Sequence, residues 1–403
     1  MGLARWLCLV LMLSGLARSG GPAGPLPQDA YVWQRRWTPA LEEALRVSSD
    51  MIGRWRVLAA ERDGAGGMAR TAPDWGAVAR SGRPAVLVVR IGGSTPPPVD
   101  PAFLAEIGRA VDSATGQGVR VAGIEIDHDC ATARLDGYAL FLEALRRQLP
   151  PGLPLSITAL PTWLPSPLFG AVAGRVDEIV LQVHAVRNPR FGLFDPRSAR
   201  MWLDQLARRT GTPFRVALPA YGVRVRWGAD GRLAGVEGER PTLDGDGPAD
   251  DQRASELAAD PAEVAGLLRG LERNPPPGLR GVVWFRLPTA EDGRAWSLAT
   301  WRAVMRGASL RTALSVEARD GGAPGLRDLV LVNAGAIDAD LPRTVLLGAG
   351  CALADGVGGY ALRREGARPA LVRVQGGTLR GGQARVIGWM RCGANTGVID
   401  VQP

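Results

Sequence analysis

The chain contains no lysine: all 48 of its basic residues are arginine, against 40 acidic residues, so the formal net charge is +8 and the pI is about 10.2. The absence of lysine excludes a Schiff-base mechanism. A positive charge suits nucleic-acid binding, but the arginines are scattered through the predicted helices and are not interleaved with aromatic residues, which argues against a nucleic-acid interface. Acidic glycans or an anionic envelope surface explain the charge equally well.

Long hydrophobic runs are missing except at the N-terminus. There Arg5 is followed by an apolar run and then by small residues, which is the pattern of a secretory signal peptide. The run is too short to span a membrane comfortably as a mature helix, and no cysteine directly follows it to carry a lipid anchor. We expect residues 1–24 to be a signal peptide, with an uncleaved anchor as the alternative. The mature protein would then have no stable membrane span and would be periplasmic or secreted.

Cysteine is scarce, with four residues in the chain. Cys8 would leave with the signal peptide. Cys351 and Cys392 share the C-terminal region, and in an oxidising compartment we expect them to form a disulfide. Cys130 is then left unpaired, next to a group of carboxylates.

The length of 403 residues predicts two domains. Over residues 29–306, eight short β-branched runs alternate with stretches of helical period, although the helices after the second and fifth strands are weakly indicated. Eight strand–helix units are the count of an α/β fold of the (β/α)8 TIM-type barrel. Residues 307–403 have short strands between turn signals, which predicts a small β-sandwich. A long insertion, residues 223–256, should overhang the carboxyl end of the barrel.

Three carboxylates stand together in Gly123-Ile-Glu-Ile-Asp-His-Asp-Cys130, at the end of the fourth predicted strand. Because side chains alternate along a strand, Glu125, Asp127 and Asp129 should share one face. In a barrel that face is the lumen, and the chemistry lies at its carboxyl end. Three like charges so close together should raise at least one pKa towards a value useful to a general acid.

Other roles for the residues of this segment remain open. Asp127 and Asp129 could cap the fourth helix, and Asp, His and Cys are also ligands for zinc or calcium. The alternation turns His128 towards the helices and away from the two aspartates, so a single ion cannot reach all three unless the strand breaks there. We therefore expect neither a metal nor a cofactor.

Four segments follow the order of motifs in the chitinase-like barrels of glycoside hydrolase family 18, which residues 29–306 resemble. The fourth strand resembles D-x-x-D-x-D-x-E, with Ala122 at the first Asp position and Asp129 in place of the Glu. Residues 176–184 resemble the sixth strand, 217–222 are similar to the seventh-strand G-L-P-x-Y-G, and 281–284 look like the eighth strand. The overall order, including residues 387–391, also resembles the bacterial domain of unknown function 3142.

The resemblance implies an exported glycoside-hydrolase-like protein that acts on envelope or extracellular polysaccharide, with N-acetylhexosamines among the candidate sugars. Asp129 would be the general acid, Asp127 the stabilising partner and Glu125 the tuner of their charge. A non-catalytic glycan-binding or envelope assembly protein on the same barrel is the alternative, because Asp129 is one methylene shorter than Glu. A third possibility is a structural module whose β-sandwich binds another protein.

Candidate substrate contacts come from the same resemblance and from aromatic residues at strand ends. His184 and Ala185 stand at the Tyr and Asp positions of the sixth-strand motif, and a nearby carboxylate is expected to raise the pKa of His184. Tryptophans at predicted strand ends could stack on a sugar ring. The full set of predicted contacts is Gln182, His184, Tyr221, Trp284, Trp33 and Trp163.

Overall fold

The computed structural model of the protein describes residues 24–184, 192–228, 233–238, 254–348, 351–365, 368–392 and 399–402. Nearly all of the predicted signal peptide, Ala185 and most of the acidic part of the long insertion lie outside these residues. No helix of the described segments is both long and apolar enough to cross a membrane.

Eight parallel strands form a closed barrel. Each strand pairs with the next along the chain, and the first strand pairs with both the second and the last. Most of their residues are buried, as parallel strands between a packed lumen and a helix layer require. The strands are β1 (Gln28–Val32), β2 (Trp55–Arg62), β3 (Ala85–Ile91), β4 (Val121–His128), β5 (Leu155–Ala159), β6 (Glu178–Gln182), β7 (Phe214–Pro219) and β8 (Leu279–Phe285).

One helix follows each barrel strand, which confirms the predicted (β/α)8 arrangement. Four of the helices start with a Thr or Asp cap followed directly by Pro, a sequence that satisfies free N–H groups and fixes the first turn. The helices are α1 (Pro39–Ser48), α2 (Trp75–Arg80), α3 (Pro101–Gly116), α4 (Leu135–Gln148), α5 (Phe169–Ala173), α6 (Pro196–Arg209), α7 (Pro261–Arg273) and α8 (Leu298–Arg306). The two weakly indicated helices, α2 and α5, are short, with six and five residues.

A buried ion-pair network fills the amino-terminal end of the lumen. Arg56 on β2 is fully buried and pairs with three carboxylates, those of Asp29, Glu125 and Glu178. Arg215 on β7 pairs with Glu178 at 2.9 Å. Burial alone would raise the pKa of Glu178, but the guanidinium groups around it, led by Arg56, hold that pKa at about 2. The amino-terminal end of the barrel is therefore filled by charged side chains that pair with one another.

The insertion after β7 forms a small antiparallel sheet. Its central strand, Gly222–Trp227, pairs with Leu233–Glu237 on one side and with Ala254–Ala258 on the other. Its first two strands, Gly222–Trp227 and Leu233–Glu237, therefore form a β-hairpin. A further short strand, Met68–Arg70, pairs antiparallel with the end of β2.

The C-terminal region is rich in β-structure, as predicted. One four-stranded antiparallel sheet consists of Leu314–Asp320, Leu326–Asn333, Ala384–Cys392 and Cys351–Gly356, and a second of Tyr360–Glu365, Arg368–Arg373, Thr344–Leu346 and Asp400–Gln402. Two short strands, Ala339–Asp340 and Thr378–Leu379, pair with each other. Leu331, Leu371 and Ile387, from both sheets, share one buried core. Cys392 is disulfide-bonded, and Cys351 lies opposite it in the strand register.

The C-terminal region is attached to the barrel at the start of α8. The Ser297 N–H donates to Asp338 Oδ2 at 2.7 Å, and the Asp338 N–H donates to Thr300 Oγ1 at 2.8 Å. Arg380 adds bonds to the carbonyls of Ala290 and Asp292, at 3.0 and 2.7 Å. The attachment thus uses the segment that follows β8.

Candidate functional site

A pocket opens at the carboxyl ends of the barrel strands, where such barrels carry their chemistry. Its cavity volume is about 50 Å³, far below the roughly 300 to 1,000 Å³ of small-molecule sites, so a ligand ring can enter it only in part. Residues at the ends of β1, β3, β4, β6 and β8 supply its wall, which includes Trp33, Arg90, Asp127, Asp129, His184 and Phe285. We call it the mouth pocket.

Asp127 forms the floor of the mouth pocket and is 2 % exposed. Its Oδ1 accepts hydrogen bonds from Thr158 Oγ1 at 2.6 Å and from Gln182 Nε2 at 3.3 Å, and its Oδ2 pairs with Arg90 Nη1 at 2.5 Å. Burial raises the pKa of Asp127 above its ordinary value, although Arg90 opposes this effect. Asp127 is thus both desolvated and held in place by three donors.

Asp129 follows the end of β4 and lies at the rim of the mouth pocket, with its side chain 48 % exposed. Its Oδ2 is 3.5 Å from Arg90 Nη2. Asp127 and Asp129 therefore share one guanidinium. The predicted pair of carboxylates is present, but with a cation between them.

Arg90 is the functional residue that the sequence analysis missed. It ends the apolar run of β3, directly opposite Asp127 in the parallel register, and its guanidinium carbon lies 5.8 Å from the centre of the Trp33 ring. Val88, two residues earlier, faces the lumen. Because side chains alternate along a strand, Arg90 must face the lumen as Val88 does, and this alternation alone would have placed Arg90 in the pocket.

Glu125 lies below the mouth pocket and is not part of its wall. It is fully buried, accepts a hydrogen bond from Tyr31 Oη at 2.6 Å and pairs with Arg56. Burial raises the pKa of Glu125, and the ion pair with Arg56 opposes the rise. Any influence of Glu125 on Asp127 is therefore electrostatic, without direct contact with a ligand.

His184 lies on one wall of the mouth pocket, stacked on Phe285 with ring centroids 5.1 Å apart. Its Nδ1 is 3.2 Å from Tyr221 Oη, so Tyr221 stands behind His184 and not in the pocket wall. Burial lowers the pKa of His184 to about 4, so the expected rise is wrong. Nε2 is buried and has no hydrogen-bond partner among the described residues. A neutral imidazole with one unused nitrogen therefore borders the pocket.

Two predicted aromatic contacts are corrected by the structure. Trp284 is fully buried, donates to Gln28 Oε1 at 2.7 Å and packs against Trp301 of α8, so it faces the helices. Trp163 is also fully buried and donates to the Cys130 carbonyl at 2.8 Å. The lumen-facing residue of β8 is the next one, Phe285, whose ring centroid lies 5.4 Å from that of Trp33. Trp33 and Gln182 do lie in the wall, as expected.

The remaining residues of the fourth-strand stretch are structural. His128 is buried against Tyr138 of α4, with Nδ1 3.1 Å from the Ile91 carbonyl. Cys130 is a buried free thiol, and burial raises its pKa to about 11. Within the described residues no group of His, Cys, Asp or Glu side chains could hold a metal ion.

The mouth pocket combines an aromatic wall with a polar floor. Trp33 and Phe285 bring apolar ring surface to the lining, and Asp127, Asp129 and Gln182 bring hydrogen-bonding groups. Such a surface suits a ligand with one apolar face and several hydroxyl groups.

Comparisons with known proteins agree with this architecture. The model of the family "Domain of unknown function (DUF3142)" matches residues 81–290, and that of "Domain of unknown function (DUF8456)" matches residues 316–393. No curated protein matches the chain significantly.

Among solved structures, the spore cortex-lytic enzyme SleL of Bacillus cereus superposes with a TM-score of 0.50 and 13% identity, over 72% of this chain and 76% of that chain. SleL of Bacillus megaterium gives 0.48 at 14% identity, over 67% and 72%. A chitinase from Chromobacterium violaceum gives 0.45 at 18% identity, over 71% and 100%. At these identities, the Bacillus cereus enzyme supports a shared glycoside-hydrolase-like fold.

Proposed function

The chain belongs to the DUF3142 family, and we propose that its barrel recognises a polysaccharide by holding one sugar residue in the mouth pocket. The observation that carries the proposal is that Trp33 and Phe285, whose rings contact each other, line the same pocket as Asp127 and Gln182. The C–H face of a sugar ring would pack on the aromatic rings while its hydroxyls reach the polar side chains. The pocket volume of about 50 Å³ admits part of one ring, and the rest of the polymer would lie across the pocket mouth.

Binding without turnover fits this pocket better than hydrolysis. Both oxygens of Asp127 already accept hydrogen bonds, so the carboxylate is not free to turn towards a substrate group. Asp129 lies 3.5 Å from the Arg90 guanidinium, an arrangement in which a carboxylate serves as a hydrogen-bond acceptor. Both carboxylates therefore act best as fixed acceptors.

Hydrolysis is a second candidate, favoured by one observation. Two carboxylates do meet at the lumen mouth, and burial raises the pKa of Asp127. In this reading Asp129 is the general acid and Asp127 stabilises the substrate, with Glu125 adjusting their charge from below.

The cellular site follows from the N-terminus and the cysteines. We infer export, because the first residues have the composition of a signal peptide and Cys392 is disulfide-bonded. The polymer would then be an envelope or extracellular one, met in the periplasm or outside the cell.

Calorimetric titration of the purified protein with N-acetylated, deacetylated and neutral oligosaccharides tests the binding. We expect Trp33→Ala to weaken binding by about tenfold or more, since stacking area is lost. Trp202→Ala on α6, outside the pocket wall, is the control and should bind as the wild type does. Equal binding by all three proteins would contradict a site in the mouth pocket.

Mass spectrometry of the same incubations separates the two candidates. Shortened oligosaccharides from the wild type, absent with Asp129→Asn, would establish hydrolysis. Binding with no shortened product would establish recognition alone.

A further inference from the structure

The charged groups of the mouth pocket do not balance. Its wall includes two carboxylates, Asp127 and Asp129, and one guanidinium, Arg90. His184 adds no charge near neutral pH, because burial lowers its pKa to about 4. Below the floor, Glu125 is already paired with Arg56. The described wall therefore carries a net charge of about −1 when both carboxylates are ionised.

The two carboxylates of the mouth pocket also differ in how many hydrogen bonds they already accept. Thr158, Gln182 and Arg90 all direct donors at Asp127, and the Tyr31 hydroxyl donates to Glu125. Asp129 has a single long contact, 3.5 Å to Arg90, and its side chain is 48 % exposed. The acceptor that remains open to a ligand is thus the Asp129 carboxylate.

His184 supplies an independent indication that the pocket binds a polar ligand. It is 6 % exposed and lines the pocket, yet its Nε2 has no hydrogen-bond partner among the described residues. A buried polar atom without a partner costs free energy unless something binds it. A hydroxyl of a bound sugar would meet this need.

We propose that the mouth pocket selects an amino sugar with a free, protonated amine, with Asp129 as the residue that binds the amine. The proposal rests on the saccharide binding proposed above and names the sugar class. An ammonium group matches the unbalanced charge and donates to the open carboxylate.

Other sugars fit this charge pattern less well. An N-acetyl group removes the positive charge and leaves Asp129 without a cationic partner from the ligand. A uronic acid would bring a third carboxylate to a guanidinium that two carboxylates already share. A neutral hexose can donate hydroxyls to Asp129 but gains no charge assistance.

Three β-1,4-linked tetrasaccharides of equal length test the proposal by calorimetric titration of the full mature chain: glucosamine, N-acetylglucosamine and glucose. We expect the glucosamine tetramer to bind at least about tenfold more tightly than the other two, as a charge-assisted hydrogen bond allows. Asp129→Asn keeps the side-chain size and should abolish this preference, so that all three tetramers bind with similar affinity. Asp136→Asn, an exposed carboxylate of α4 outside the pocket, is the matched control and should keep the preference.

Each of the other possible results refutes a specific claim. Equal binding of the three sugars, or tighter binding of the N-acetylated one, refutes amine selection but leaves saccharide binding standing. A glucosamine preference that survives Asp129→Asn also refutes the proposal, because the charge then acts from elsewhere. No binding of any tetramer would count against the proposed function itself.

Discussion

His184 should make the folded protein less stable in mild acid. Burial lowers its pKa from 6.5 to about 4, a change of about 2.5 units. Between these two values the unfolded chain binds a proton that the folded protein does not, so the free energy of unfolding falls as the pH is lowered through this window. At 1.36 kcal/mol per unit, the full loss is about 3 kcal/mol.

Urea denaturation at pH 7 and pH 4.5 measures this effect. His184→Gln cannot take up the proton, so the wild type should lose about 2 to 3 kcal/mol more than the variant between these two pH values. All other titrating groups are common to both proteins, so the difference isolates His184. His128→Gln is the control: burial also lowers the pKa of His128, but its bond to the Ile91 carbonyl and the nearby aspartates oppose the shift, so a smaller effect is expected.

Parallel losses of stability in the wild type and His184→Gln would refute this reasoning. They would mean that His184 takes its proton as readily in the folded protein as in the unfolded chain. The neutral imidazole in the pocket wall would then have to be abandoned, and with it the charge balance inferred for the ligand.

Two other perturbations follow from buried interactions. Arg56→Met should destabilise the barrel by about 3 to 5 kcal/mol in urea denaturation, because it leaves the fully buried Glu125 without a cationic partner. Adding Glu125→Gln should restore part of the loss, and no recovery would contradict the pairing. Cys392→Ser should lower the free energy of unfolding of the C-terminal region by about 2 to 4 kcal/mol, because the disulfide is lost. Reduction of the wild type should lower that free energy by a similar amount. An unchanged melting temperature would argue against a structural role for the disulfide.

The barrel is readable from the sequence because each of its elements has its own local signal. Buried parallel strands give short β-branched runs, and their helices begin at Thr or Asp caps followed by Pro. α1, for example, begins at Pro39, directly after its cap Thr38. The weak signals of α2 and α5 correspond to real helices that are too short to show a full amphipathic period.

The aromatic wall could not be predicted in the same way, because it depends on which face of a strand each residue takes. Trp284 and Phe285 are neighbours, so they point to opposite faces of β8. The family resemblance favoured Trp284, but the fold turns it towards Trp301 and directs Phe285 to the lumen. A register taken from Val283, which faces the lumen, would have identified Phe285.

The alternation along β3 is enough to place Arg90 in the lumen, but its ion pair depends on a contact between two strands and so escapes any analysis of one segment alone. Its partner Asp127 is 37 residues away and becomes its neighbour only through the pairing of β3 with β4. The carboxylates were therefore found from their spacing, while the cation that changes their chemistry was not.

A crystal structure of the protein with the β-1,4-linked glucosamine tetramer would test the central claim most directly. The account predicts one sugar ring in the mouth pocket, in van der Waals contact with Trp33 and Phe285 and with a polar group within hydrogen-bonding distance of Asp129. A tetramer bound only on the C-terminal region, or on the outer surface of the barrel with the mouth pocket empty, would contradict it.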